Sequence, residues 1–331
     1  MLNSSKRYNT TPLVSIIIPC YNYEKFVGKS IESALNQTYG NIEVIVIDNG
    51  STDNSLLEIE KFSNNKKVKI LRFKNNNPPG KKGSFHVGDA IEESKGEYIS
   101  MLYADDWYLP NKIAKQVELF DRTHSSTGVV YCHGYRYFES LNKEIEWKMQ
   151  SVRGYVFKDY LLNGDVVIPI SPLVKRYCYD VIGVKNIWTG TEYDILMMSQ
   201  FFDFDFVDEH LVVMRDHNNN DAKNVHSVYK RLTQFHKIAL LEGNARSREG
   251  SLVNMRVAHD ALADGLAFVT MLDKRHGKEA IFYAIKVHPL IVLRWKLIAA
   301  VILIYLPLPF SKYLLNKFGR RSSVGRIECE W

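Results

Sequence analysis

The chain has little that marks a secreted, metal-clustered or membrane-spanning protein. Its 331 residues include only four cysteines, Cys20, Cys132, Cys178 and Cys329, with no CxxC pair. That spacing argues against a zinc site and a disulfide framework, and it fits a reducing compartment. Residues 1–12 are polar and carry no apolar core of a signal peptide, so they read as an N-terminal tail in a cytoplasmic protein. There is no internal repeat and no low-complexity tract. Neither GxxxxGK[ST] nor GxGxxG occurs, so ATPase and dinucleotide-binding readings lose their usual support. Charge of one sign is also scarce. Lys plus Arg number 43 against 37 Asp plus Glu, a net +6. That mild excess does not point to nucleic acid. With 46% apolar and 24% charged residues, the composition is that of a globular protein.

What is present is alternation. Leu13–Ile18 is an apolar, β-branched run closed by Pro19, which predicts a buried strand. Helical spacing over Glu24–Gln37 follows, then a strand at Ile42–Ile47 and a helix over Asp53–Phe62. A third strand is expected at Val68–Phe73, a helix at Ser84–Ser94 and a fourth strand at Glu97–Leu102. This pitch predicts an α/β protein with a mostly parallel, Rossmann-like sheet flanked by helices. Further on, Gly128–His133 reads as a strand with which Tyr135–Phe138 pairs. Asp194–Phe202 reads as a helix and Leu211–Arg215 as a short strand. Beyond about Val225 the pattern is helical only, a C-terminal helical extension.

The far end differs again. Leu290–Leu306 is apolar apart from Arg294 and Lys296 and lies between Pro289 and Pro307. As one helix it would reach roughly 25 Å, short of a hydrocarbon core of about 30 Å. With Trp295, Tyr305 and the basic residues Lys312, Lys317, Arg320, Arg321 and Arg326, it reads as a helix lying in a membrane interface. A buried core helix or a dimer contact is the plainer alternative.

Ligands of open parallel sheets bind beyond the carboxyl ends of the strands. Those ends carry Pro19-Cys20-Tyr21-Asn22, Asp48-Asn49-Gly50-Ser51-Thr52-Asp53, the loop Asn75 to Lys82, and Tyr103-Ala104-Asp105-Asp106-Trp107. Adjacent acids at a strand end are costly unless a cation neutralises them or they cap the next helix. Oxygen ligands suit Mg²⁺ or Mn²⁺, ions that bridge to phosphates. Lys81 and Lys82 are cations that can meet a diphosphate or be plain surface lysines.

Taken in order, Val14-Ser15-Ile16-Ile17-Ile18-Pro19-Cys20-Tyr21-Asn22, Ser33-Ala34-Leu35-Asn36-Gln37-Thr38, Ile47-Asp48-Asn49-Gly50-Ser51-Thr52-Asp53 and Gly96-Glu97-Tyr98-Ile99 leading to Asp105-Asp106 resemble family 2 glycosyltransferases of the GT-A fold. The resemblance covers about 13–122, is looser to about 220, and implies an inverting, nucleotide-sugar-dependent transferase. With it the chain reads as a donor-binding half at 13–122 and an acceptor half at 123–222 of one domain, and the pattern beyond gives a helical appendage at 223–288 and a membrane-associating end at 289–331.

By motif, Pro19, Tyr21, Asn22, Asp48 and Asn49 would line the donor's nucleoside, with Lys82 at the diphosphate. Asp105 and Asp106 would hold Mn²⁺ or Mg²⁺ and the sugar. The Arg215-Asp216-His217 element would add His217 at the metal and Arg215 at the leaving group. In Thr189-Gly190-Thr191-Glu192-Tyr193-Asp194, Glu192 takes the position of the catalytic base, with Asp194 second, and Trp188 would stack on the acceptor. The chain departs from the family at Asn49, where a second acid is common, at Tyr103, the usual first acid of the metal motif, and at Gly88, where Asn is frequent. The implied partners are a nucleoside-diphosphate sugar, with a UDP-sugar favoured, a glycan or polyprenyl-linked acceptor for surface polysaccharide, and the cytoplasmic face of a membrane. A sugar-phosphate nucleotidyltransferase and a non-catalytic nucleotide-sugar or glycan binder are the competing readings.

Overall fold

In a computed structural model, described residues are 11–77, 84–183, 191–217, 220, 225–226, 228–230, 232–233, 249–307, 309–311, 313, 319–321 and 327–329. For 84, 191–193, 295–296, 319–321 and 327–329 the description is of backbone only. The chain forms two compact units. The first comprises residues 1–156 and 165–215, the second 157–164 and 216–331.

The first unit is built on β1 (Val14–Cys20), β2 (Ile42–Asn49), β3 (Val68–Phe73) and β4 (Tyr98–Met101), all parallel in the order β3-β2-β1-β4. Every residue of β1 is buried, and so are seven of the eight in β2. That is what a parallel strand covered on both faces requires. The covering helices are α1 (Val27–Leu35), α2 (Ser55–Glu60) and α3 (Val87–Glu93). In α1 the buried positions Val27, Ser30, Ile31 and Ala34 recur at helical spacing. Burying one large aliphatic side chain of such a face contributes about 1.5–3 kcal/mol.

Beyond β4 the ladder turns antiparallel, so the parallel arrangement expected of most of the sheet belongs to the donor half. After β5 (Trp107–Tyr108) and α4 (Lys112–Phe120) come β6 (Thr127–Phe138), β7 (Lys143–Trp147), β8 (Leu173–Lys175) and β9 (Asp203–Asp216). The order continues β4-β8-β6-β9-β5, and β7 adds to β6. Two sequence expectations are corrected here. Tyr135–Phe138 does not pair with Gly128–His133 but continues it as one strand, and its partner is β7, with Tyr135 opposite Glu146. The short strand expected at Leu211–Arg215 is the end of a 14-residue strand. Its first half alternates half-buried and buried residues, Asp203, Phe204, Asp205 and Phe206, which masks its apolar face in a window reading.

Buried polar groups tie these layers. The Gln116 amide of α4 donates to the carbonyls of Val130 (3.0 Å) and Ser171 (2.8 Å). Arg176 donates to the Ile91 and Gly96 carbonyls, satisfying acceptors at the C-terminal end of α3.

The second unit contains α5 (Phe157–Asn163), α8 (Gly250–Thr270), α9 (Lys274–Val287) and α10 (Trp295–Tyr305), after α6 (Arg176–Ile182) and α7 (Thr191–Met198) of the first. Helices α8 and α9 form a hairpin whose contact depends on two glycines. A Cβ at Gly265 would lie 2.7 Å from Ile281 Cγ1, and one at Gly277 2.6 Å from Val269 Cγ2. The single apolar helix expected over Leu290–Leu306 is instead a 3₁₀ turn (Pro289–Leu293), an extended Arg294 (φ −82°, ψ 120°), and α10. The break lets Ile291, Leu297, Ala300 and Leu303 pack inward from two short elements. No described helix is long and apolar enough to cross a membrane.

Candidate active site

Because β1, β2 and β4 are parallel neighbours, their carboxyl ends share one sheet edge. Pro19 and Cys20 end β1 opposite Ile47 and Asp48 of β2. The two following loops are sewn together. Asn22 sits in the left-handed region (φ 59°), and its amide oxygen accepts from the Thr52 backbone N–H at 2.8 Å. Ser51 Oγ accepts from the Asn22 N–H, and Ser55 Oγ from the Tyr23 N–H. Burial opposes ionisation of Asp53, but hydrogen bonds from Ser55 and the Glu24 N–H prevail and hold its carboxyl below the usual range. Tyr21 is half-buried beside this seam. Cys20 is no nucleophile, since burial pushes its thiol up to about 12.

Asp48 is buried at the end of β2, where its carboxylate accepts the Ser51 N–H at 3.2 Å. Its neighbour Asn49 is fully buried. Both amide hydrogens of Asn49 are engaged, with Asn76 Oδ1 (2.8 Å) and the Asn77 carbonyl (3.2 Å), while its oxygen accepts the Asn77 N–H (3.1 Å). The amide therefore anchors the loop after β3. Gly50 completes the anchor. Its φ is +74°, and a Cβ would lie 2.8 Å from the Asn75 backbone.

After β4 the chain turns through Tyr103–Asp106, closed by the Asp106 N–H to the Tyr103 carbonyl at 3.1 Å. Asp105 and Asp106 are both buried. Asp106 Oδ1 accepts the Arg215 backbone N–H at 2.8 Å, and the Arg215 guanidinium donates to the Asp105 carbonyl at 3.0 Å. Asp106 Oδ2 is buried with no hydrogen-bond partner among the described residues. Burial, then the adjacent Asp105 carboxylate, pushes the Asp106 carboxyl well above the usual range, against the pull of Arg215. An orphaned carboxylate oxygen beside a second buried carboxylate fits a hard divalent cation, so these residues suit Mn²⁺ or Mg²⁺.

Two cations frame this turn. The Arg215 guanidinium lies 4.6 Å from the Phe26 ring centre and 5.1 Å from that of Trp107. The Lys29 ammonium sits 3.2 Å over Trp107. Burial, then Arg215, lowers the Lys29 pKa. Lys29 escaped the sequence reading, because a single lysine on an amphipathic helix looks like a solvated one. Its place over Trp107 is made by the fold, across 78 positions of sequence.

The remaining expected residues are less gathered. Asp194 in α7 is buried and, after burial itself, is the leading charge raising the Tyr179 phenol, to which Tyr103 also contributes. Glu192 lies in the first turn of α7, but its side chain is outside the described residues, as are Lys82 and Trp188 entirely. His217 is buried, and its backbone N–H donates to Asn220 Oδ1 at 2.5 Å; it belongs to the second unit.

The model of glycosyl transferase family 2 matches residues 15–173. An uncharacterised glycosyltransferase of Haemophilus influenzae is 33% identical over 180 residues, 53% of this chain and 67% of the relative. The Escherichia coli UDP-Glc:alpha-D-GlcNAc-diphosphoundecaprenol beta-1,3-glucosyltransferase WfaP is 39% identical over 109 residues, 33% of this chain and 41% of the relative. The chain covers 23% to 38% of the length of the Rickettsia glycosyltransferases it matches. Among solved structures, S. aureus TarS in complex with UDP-GlcNAc superposes with a TM-score of 0.64 at 12% identity, covering 96% of both chains. The mannosyltransferase PcManGT from Pyrobaculum calidifontis, in complex with GDP-Man and Mn²⁺, superposes with a TM-score of 0.56 at 14% identity, covering 92% of this chain and 84% of that one. The fold is thus the GT-A fold of glycosyltransferases. The chain belongs to glycosyltransferase family 2.

Proposed function

We propose that the protein is an inverting transferase that moves a sugar from a nucleoside-diphosphate sugar, a UDP-sugar first, to a glycan or polyprenyl-linked acceptor in surface polysaccharide synthesis. The observation that carries this reading is the Asp105-Asp106 turn, with a buried Asp106 oxygen that has no partner among the described residues on one side and Arg215 on the other. Asp105 and Asp106 are the residues that would hold Mn²⁺ or Mg²⁺. When bound, such an ion neutralises charge on the departing diphosphate.

In this reading the nucleoside lies against Pro19, Tyr21, Asn22 and Asp48, with Asn49 acting indirectly by holding the loop after β3. Glu192, or Asp194 in its place, accepts the proton of the acceptor hydroxyl as its oxygen attacks the anomeric carbon. The bond from that carbon to the diphosphate breaks, and its electron pair leaves with the nucleoside diphosphate. Arg215 and Lys29 stabilise the growing negative charge. The printed name of the E. coli relative, with its UDP-linked donor and diphosphoundecaprenol acceptor, favours this substrate class. So do exposed apolar side chains on the C-terminal elements. Leu290, Leu293, Ile298, Ile302 and Tyr305 are each more than half exposed, beside the exposed cations Lys286 and Arg294. That composition suits seating at a lipid interface near a lipid-linked acceptor.

The test is thermal unfolding with UDP, GDP, dTDP and CMP, each with and without Mn²⁺. Stabilisation by one of them that requires the metal is expected in the wild type and lost in Asp105→Ala. Equal stabilisation of both proteins would remove the assignment of the Asp105-Asp106 turn. Metal-dependent nucleotide binding without release of nucleoside diphosphate to any acceptor would favour a non-catalytic binder.

A further inference from the structure

A second cluster of metal-ligating side chains lies wholly within the second unit. Asp273 follows the turn at Leu272, which takes a left-handed backbone (φ 65°), and caps the N-terminus of α9. The cap fixes the carboxylate, because Oδ1 accepts the His276 backbone N–H at 3.2 Å. The other oxygen, Oδ2, faces two imidazoles. His276 Nδ1 is 2.7 Å from it and His226 Nε2 is 3.4 Å from it. The imidazole rings meet edge to face with centroids 4.6 Å apart. All three candidate ligand atoms lie within 4.8 Å of one another. Phe268 supports both rings, 4.7 Å from His226 and 5.5 Å from His276.

We propose that His226, Asp273 and His276 form a transition-metal site, distinct from the Asp105-Asp106 turn, that takes a borderline ion such as Zn²⁺. The ligand types select the ion. Two imidazoles and one carboxylate suit Zn²⁺ and its neighbours, whereas Asp105 and Asp106 offer only oxygen and suit Mg²⁺ or Mn²⁺. The spacing agrees. Bonds of about 2.0–2.1 Å in a tetrahedron set ligand atoms about 3.3 Å apart. The His226–Asp273 pair already has that separation. The shorter His276–Asp273 pair is a hydrogen bond that opens by about 0.6 Å once a metal replaces the shared proton. His226 is half exposed, so the fourth position is open to water. Two sequence-distant segments, at His226 and at the α8–α9 turn, would be clamped by one ion.

The experiment is Co²⁺ titration of untagged, full-length protein, followed by visible absorption and repeated with Zn²⁺ as competitor. The expected result is one equivalent of Co²⁺ with the intense band of a tetrahedral centre, displaced by Zn²⁺. Asp105→Asn should retain that band, and His226→Ala should weaken binding at least about 10-fold. His226 is half exposed, so its removal spares the fold, and unchanged circular dichroism checks this. An unaltered band in His226→Ala, loss of the band in Asp105→Asn, or no stoichiometric binding at micromolar metal would each overturn the proposal.

Discussion

Lys112 has no exposed surface, yet no carboxylate neutralises it among its described partners. Its ammonium donates to Ser100 Oγ at 2.8 Å and lies 4.1 Å from the Tyr108 ring centre. Burial lowers its pKa from 10.5 to about 7. That fall is equivalent to about 5 kcal/mol of preference for the neutral amine inside the protein. Between pH 7 and 10.5 the unfolded chain binds a proton that the folded chain does not. Stability therefore rises with pH across that window, by up to about 1.4 kcal/mol per pH unit from this group, and is lost as pH falls toward 7. In Lys112→Met nothing titrates at the position. Ser100 keeps Tyr108 and the Pro172 carbonyl as partners, so the substitution forfeits one hydrogen bond, about 1–2 kcal/mol. Near pH 6.5 the variant should accordingly be more stable than the wild type by about 3 kcal/mol. The advantage should shrink steadily to pH 8.5. The assay is urea unfolding of both proteins at several pH values, comparing the difference between them. Other groups cancel in that difference; Cys132, pushed up to about 12 by burial, stays neutral throughout. A constant difference between variant and wild type over this range would refute the reasoning.

Asn49→Ala should free the loop after β3, costing about 1–3 kcal/mol for the polar groups left unpaired and weakening nucleotide binding, both read by thermal unfolding with and without nucleotide. Asp106→Asn keeps an acceptor for the Arg215 N–H, so folding should hold within about 1 kcal/mol while metal-dependent stabilisation by nucleotide disappears. Glu192→Gln should spare nucleotide binding and lower turnover by at least about 10² in a nucleoside-diphosphate release assay. Leu293→Asp together with Ile302→Asp, at exposed positions, should abolish flotation with anionic liposomes without changing nucleotide binding; undiminished flotation would exclude this face as the contact.

Much of the donor half was legible in the chain. Apolar β-branched runs ending at Pro19, Asp48 and Leu102 became strands whose shared edge carries Asn22, Asp48 and Asp105-Asp106, because a strand covered on both faces must be apolar throughout. Local patterning alone placed those loops. What needed the tertiary structure was every relation between distant residues. Arg215 reaches Asp106 across 109 positions, and Asn49 spends its amide on Asn76 and Asn77. Lys112 is in the core although its charge signals a surface, and Tyr135–Phe138 extends the strand before it. His226 meets Asp273 through helix packing, with no motif to announce it. Hydrophobic period is a property of neighbours in sequence, and so it determined the elements. Which side chains satisfy one another's charge and hydrogen bonds depends on how those elements pack, and only the folded chain decided that.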